Sequence, residues 1–327
     1  MTERPPLLAI DDLSVVFATE GGDVHAVDSV QLSVAAGETL AIVGESGSGK
    51  SVTALSVLGL LGGNGRVGRG EIRFRGENLL NLTESELRAI RGNRIAMIFQ
   101  EPMSSLNPVI TIGKQVAEPL TLHRGLSWED ALSEAAELLA RVAIPDAAER
   151  LNDYPHQFSG GMRQRVMIAM ALACSPDLII ADEPTTALDV TVQAQILDLL
   201  QRITHDKDAA QILITHDLGV VARYADRVAV MYAGRIVESA PATTLYANPA
   251  HPYTQGLMAS IPSLDGTPGK RLDTIEGQPP NLAALPPGCA FAPRCRYARP
   301  ACHQTAPSLE KIGPDHQRAC YHDDALS

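Results

Sequence analysis

At 327 residues, with 45 per cent hydrophobic, 20 per cent charged and 4 per cent aromatic residues, the chain has the make-up of a globular protein. It has the length for one large domain plus a small extra one, which argues against disorder. Thirty-eight Asp and Glu against 27 Lys and Arg give a formal net charge of −11, which argues against a generalised phosphate-backbone binder, so no nucleic-acid partner is expected. The N-terminal MTERPPLLAIDD has no apolar stretch of signal-peptide length, and no window approaches the roughly 18 apolar residues that cross a bilayer. The chain is therefore expected in the cytoplasm, with any membrane association supplied by a partner.

Residues 7–17 and 27–34 roughly alternate apolar and polar side chains and read as two strands joined by a turn at Gly21 and Gly22. Residues 39–43, TLAIV, are a short apolar run that reads as a buried strand ending at glycine. GESGSGKS at 44–51 follows, and then SVTALSVLGLL has helical spacing until GGNGRVGRG breaks it. In G-x-x-x-x-G-K-S the glycines let backbone amides curl round phosphate oxygens while the next helix points its positive end at them. Gly44, Glu45, Ser46, Gly47, Ser48 and Gly49 form that cradle. Lys50 is placed to reach the β and γ phosphates, and Ser51 to offer its hydroxyl to Mg²⁺. A chance glycine turn is the bland alternative, and the strand before and helix after it argue against that.

A further strand and turn are expected over residues 71–80, and RIAMIFQ at 94–100 reads as a strand with Gln100 at its end. Between about 102 and 158 the pattern turns helical, with apolar residues three and four apart in TIGKQVAEPL and WEDALSEAAELLARV. FSGGMRQR at 158–165 puts Ser159, Gly160 and Gly161 at a helix start, a second anion-binding surface. A chain with its own phosphate loop has use for such a surface if it covers ATP held by another chain. In LIIADEP at 178–184 an apolar strand delivers Asp182, to hold Mg²⁺ through water, and Glu183, to polarise the attacking water. ALD at 187–189 follows. His216, after the strand ILIT, is placed to bridge to the γ phosphate and that water, a structural histidine being the alternative. Apolar runs at 178–181, 211–214 and 227–232, separated by helical stretches, predict parallel strands covered by helices. From 262 to 287 prolines and glycines are frequent and periodicity is lost, which reads as a linker.

Of the five cysteines, Cys174 stands alone and reads as a buried small hydrophobe, while Cys289, Cys295, Cys302 and Cys320 crowd the tail. In a reducing cytoplasm clustered thiols are more often metal ligands than disulfides. The spacing C-x5-C-x6-C-x17-C suits zinc or an iron–sulfur cluster, although the paired C-x2-C of structural zinc is absent.

Together these motifs resemble the ATPase subunit of an ABC transporter over roughly residues 7–262, with Gln100 as Q-loop, Asp189 as D-loop and His216 as H-loop. The resemblance implies an α/β P-loop ABC ATPase with a mixed sheet core. Its nucleotide-binding domain would cover 1–262, with a helical subdomain at about 102–175, and a linker with a Cys-rich C-terminal extension would cover 263–327. It implies that Phe17 stacks on adenine, core packing being the alternative. Ser51, Gln100 and Asp182 would share the Mg²⁺, and Met162 and Asp189 would line the nucleotide. FSGGM departs from the commonest form, LSGGQ, but Ser159 and both glycines remain.

QEPMSSLNP, FSGGMRQRV, ADEPTTALDVTVQAQIL and HPYTQGLMASIP narrow the resemblance to the oligopeptide and dipeptide importer branch, and SGGM to its D-type subunit. That implies a heterodimer with an F-type ATPase subunit, peripheral on the cytoplasmic face of the inner membrane. Two permease subunits would lie above it, fed by an extracytoplasmic peptide-binding protein. The helical insertion and the Gln100 loop would contact the permeases' coupling helices, so that ATP-driven closure switches the transport path. The D-type tail is associated with a [4Fe–4S] cluster, which assigns Cys289, Cys295, Cys302 and Cys320 as its ligands, with zinc as the alternative. Two other readings stand beside this one: the same machinery carrying nickel or glutathione, and a soluble ABC ATPase acting on DNA or ribosomes. Against the latter stand the single cassette, the lack of sustained heptads and the acidic balance.

Overall fold

The computed structural model describes residues 5–101, 105–185, 188–206, 209–260 and 274–322. The chain forms two compact units, one of residues 1–33, 39–80 and 215–327, the other of 34–38 and 81–214. The expected boundary at 262 and 263, and Ala187 of ALD, lie outside the described residues.

In the first unit, β1 (Leu8–Thr19), β2 (Gly22–Val34), β4 (Gly65–Phe74) and β5 (Glu77–Asn78) form a sheet in the order β2-β1-β4-β5. β4 runs antiparallel to β1, with Val15 opposite Val67 and Phe17 opposite Gly65. The stretch GGNGRVGRG, expected as a break, is thus strand from Gly65 onward. Pairing with β1 overrides the weak strand propensity of its glycines, because a ladder of backbone hydrogen bonds is decided by the partner strand.

The same unit holds β3 (Thr39–Val43), β9 (Arg227–Tyr232), β10 (Arg235–Pro241), β11 (Glu310–Gly313) and β12 (His316–Arg318), adjacent in the order β11-β12-β10-β9-β3. β3 and β9 are parallel, whereas β10 folds back on β9 through Ala233 and Gly234, both at positive φ, as a two-residue hairpin turn requires. β12 pairs antiparallel with β10, Arg318 opposite Glu238. The tail, read as linker and cysteine segment, therefore also contributes a hairpin to the sheet edge. Helix α1 (Lys50–Val57) follows β3 and stops short of the expected SVTALSVLGLL, because Gly59 turns left-handed at φ 61. Valines and alanines of β3, β9 and β10 pack with Leu218, Leu245, Tyr253 and Phe291 in one core. Phe291, from the tail, is buried there as deeply as the strand residues.

In the second unit, β6 (Ile95–Ile98), β7 (Leu178–Asp182) and β8 (Ala210–Thr215) are parallel neighbours in the order β8-β7-β6. The helical insertion contains α3 (Ile112–Arg124), α4 (Trp128–Arg141) and α5 (Gly160–Leu172). α4 buries Ala131, Ala135, Leu138 and Leu139, one face at helical spacing, and starts at Ser127, whose hydroxyl accepts from the Asp130 N–H. An unexpected short helix, α2 (Glu84–Ile90), begins at a capping box of Thr83 and Glu86, a T-x-x-E signal present in the sequence. Among the described residues no helix is long and apolar enough to cross a membrane.

Candidate nucleotide site and cysteine cluster

The phosphate loop joins β3 to α1 inside the first unit. Its glycines are forced: a Cβ on Gly44 would collide with the Met231 carbonyl oxygen, and one on Gly49, at φ 105, would lie 2.6 Å from the Ala26 carbonyl oxygen. Lys50 is only 5% exposed and donates to the carbonyls of Gly44 at 2.8 Å and Glu45 at 2.9 Å. The Ser48 hydroxyl is buried with no hydrogen-bond partner, and Ser46 and Gly47 face solvent. A buried cation, a helix N-terminus and exposed backbone at Ser46 and Gly47 make a cradle whose chemistry fits a phosphate chain. Ser51 stands in the first turn of α1. Phe17, at the open end of β1, is partly exposed rather than core, its ring laid over Gly65. His216 follows β8 and is exposed.

In the second unit β7 is buried along its whole length and carries Asp182, 5% exposed, at its carboxyl end. Glu183 comes next in the left-handed region at φ 46, held there by its N–H donating to the Ile214 carbonyl at 2.9 Å. Such strain in a non-glycine residue persists only when its surroundings impose it, and it turns the carboxylate off the strand line. The Gln100 amide donates to Glu183 Oε2 at 3.0 Å. Ser159 caps α5, its hydroxyl accepting from the Met162 N–H at 3.3 Å, with Gly160 and Gly161 opening the first turn. No acidic residue occupies that turn, so the helix end keeps its positive character. Asp189 caps α6 (Val190–Asp206), accepting from the Val192 N–H at 2.9 Å.

The tail thiols Cys289, Cys295, Cys302 and Cys320 line one small cavity with His251 and Phe291. Burial pushes the Cys295 thiol up to about 11 and raises those of Cys289 and Cys320. Among the described residues, however, no group of three or more His, Cys, Asp or Glu side chains is arranged to hold a metal ion. The sulfurs are turned to nearby backbone N–H groups, as Cys302 is to Arg299 at 3.5 Å. Cys174, half-buried, donates to the Pro119 carbonyl at 3.4 Å.

The ABC transporter family matches residues 27–186, and the oligopeptide/dipeptide transporter C-terminal region matches 237–302. The oligopeptide transport ATP-binding protein OppD of Salmonella typhimurium is 54% identical over 315 residues, covering 96% of this chain and 93% of the relative. The chain belongs to the ABC transporter ATP-binding family. OppD of Escherichia coli is 53% identical over the same share of each chain. The dimeric structure of the ATP-binding cassette MJ0796 bound to ADP and Pi superposes with a TM-score of 0.65 at 29% identity, covering 72% of this chain and 98% of that one. This ABC ATPase thus has the cassette fold, and its mixed strands and helices agree with the architecture expected from its motifs.

What sequence reasoning missed in the first unit is a set of contacts to the phosphate loop from the tail. The Glu45 carboxylate is gripped by Arg294, and the Glu45 N–H donates to the Tyr253 hydroxyl at 2.8 Å. Only the second of these had a sequence signal, the HPYTQGLMASIP run, and that run does not say what Tyr253 touches.

Proposed function

We propose that this chain is the ATP-hydrolysing subunit of an ABC importer of di- and oligopeptides, and that its domains divide at about residue 262. The observation that carries this reading is the match to oligopeptide transport ATP-binding proteins along nearly the whole chain, tail included. The partners proposed are an F-type ATPase subunit, two permeases and an extracytoplasmic peptide-binding protein, with the chain peripheral on the cytoplasmic face of the membrane.

In this reading residues 44–51 hold the phosphates, Phe17 stacks on adenine, and Lys50 neutralises the β and γ phosphates. Mg²⁺, which would supply charge neutralisation, suits an oxygen donor set of Ser51, Gln100 and Asp182. Glu183 orients and deprotonates the attacking water, and His216 fixes that water's position. Ser159, Gly160, Gly161, Met162 and Asp189 face the nucleotide held by the partner ATPase, so that ATP joins the two. The exposed Val109 and Trp128 line a groove of 300 Å³ with Tyr154, Lys114 and Glu118, a seat on the insertion that suits a permease's coupling helix.

For Cys289, Cys295, Cys302 and Cys320 we propose a [4Fe–4S] cluster, supported by their sharing one cavity. The closely paired C-x2-C ligands usual for structural zinc are absent from these four, which favours the cluster.

The experiment is affinity purification of the chain from native membranes in mild detergent, with mass spectrometry of what accompanies it. Two permeases, a second ATPase and a peptide-binding protein are expected, and ligand eluted from the binding protein identifies the cargo. Recovery with ribosomal or DNA-associated proteins alone overturns the transport reading.

A further inference from the structure

We propose that Arg294 is a positioning residue of the ATP site, which makes the C-terminal extension part of the nucleotide-binding machinery. This rests on the reading of residues 44–51 as the phosphate loop.

Arg294 ends a 3-10 turn, Ala292–Arg294, and its side chain is only 6% exposed. Its guanidinium makes a two-pronged contact with the second residue of the phosphate loop, Nη1 to Glu45 Oε2 at 2.7 Å and Nη2 to Oε1 at 3.0 Å. Nε donates to the Glu276 carbonyl at 3.0 Å, and Nη1 also donates to the Tyr232 hydroxyl at 3.3 Å. The planar fork is thus fixed on several sides before it meets the loop, which is the condition under which Arg grips a carboxylate most effectively.

Every polar group of Glu45 is held. Its carboxylate is held by Arg294 and its N–H by Tyr253, while its carbonyl accepts from Lys50 Nζ and from the Ser48 N–H at 3.2 Å. Tyr253 is in turn pressed by Phe291 of the extension, ring centroids 5.4 Å apart. The extension therefore sets the start of the loop through two routes, one ionic and one aromatic. A phosphate cradle works by amides already in place, so whatever pins Glu45 contributes directly to ATP affinity.

Charge makes the pairing necessary. A carboxylate beside a phosphate chain repels it, and Glu45 is partly buried, where that repulsion is poorly screened. Arg294 cancels that charge. The extension also stands over the loop: Pro279, Pro280 and Asn281 face Glu45 and Ser48 across a cavity of 330 Å³.

The test measures the dissociation constant of a fluorescent ATP analogue on folded full-length protein, together with steady-state phosphate release, for wild type, R294Q, R294K, R294Q/E45Q and K50A. R294Q is expected to bind roughly tenfold more weakly while turnover at saturating ATP stays within about twofold of wild type. R294K should keep part of the affinity. R294Q/E45Q should recover most of it, because the uncompensated charge is gone while the paired side-chain amides keep a neutral hydrogen bond between tail and loop. A role confined to stability would lower the melting temperature of R294Q without changing the affinity of the folded fraction, and that result overturns the proposal. So does a double variant no tighter than R294Q. K50A must lose binding: wild-type affinity there overturns the phosphate-loop reading and this proposal with it. Loss in K50A with none in R294Q overturns this proposal alone.

Discussion

The Gln100 side-chain amide donates to the Glu183 carboxylate across 3.0 Å. Gln100 lies two residues beyond β6 and Glu183 one beyond β7, its parallel neighbour, where Glu183 turns into the left-handed region. A residue just before the helical insertion is thereby hydrogen-bonded to the group proposed as catalytic base.

Glu183→Gln is expected to bind ATP like wild type and lose turnover by about 10²-fold or more, the span of a positioned base. Gln100→Ala frees the carboxylate and removes one proposed Mg²⁺ donor, so it should lower turnover less than Glu183→Gln while weakening Mg-ATP binding. Phosphate release and nucleotide binding measured side by side check both, and undiminished hydrolysis in Glu183→Gln would refute the role given to it.

His251 is fully buried, and burial lowers its pKa to about 3 from an ordinary 6.5, with the Arg318 charge adding to the effect. Between those values the unfolded chain takes up a proton that the folded chain refuses. Stability from this residue is therefore complete above 6.5 and is lost as pH falls toward 3, by about 1.4 kcal/mol per unit. Its Nδ1 accepts from the Tyr253 N–H, a contact that asparagine can replace. Denaturant titrations at about pH 7.5 and about pH 5 should show wild type losing about 2 kcal/mol more than His251→Asn. Equal losses would mean that the folded chain takes up this proton over the same pH range as the unfolded chain.

Anaerobically purified protein is expected to carry about four irons and four sulfides per chain. Serine at Cys289, Cys295, Cys302 or Cys320 should abolish most of that content, and serine at Cys174 should leave it intact. Zinc without sulfide would rule the cluster out.

Trp128 is 52% exposed and Val109 78%, a large apolar presentation for a helical insertion. A charge placed there, as in Val109→Glu, should cut recovery of the permeases with the chain by about tenfold, since a buried unpaired carboxylate is costly at an interface. Undiminished recovery would move the permease contact elsewhere.

The local chemistry was written in the chain. GESGSGKS reads as a loop before a helix from its G-x-x-x-x-G-K-S spacing, and LIIAD reads as a buried strand because so short an apolar run, with Pro184 soon after it, is too brief for a helix. Period and glycine placement are local properties, so they survive without knowledge of the fold. The strand at Gly65, the docking of the 310–318 hairpin on β10 and the grip of Arg294 on Glu45 were not legible in this way. Each depends on a partner dozens to hundreds of residues away. A glycine-rich stretch becomes a strand only when β1 offers it a ladder, and an arginine next to a cysteine becomes a brace for the phosphate loop only when the tail folds back over Tyr232 and Tyr253. Sequence by itself determined which residues can meet a phosphate, and tertiary structure decided what holds them in place.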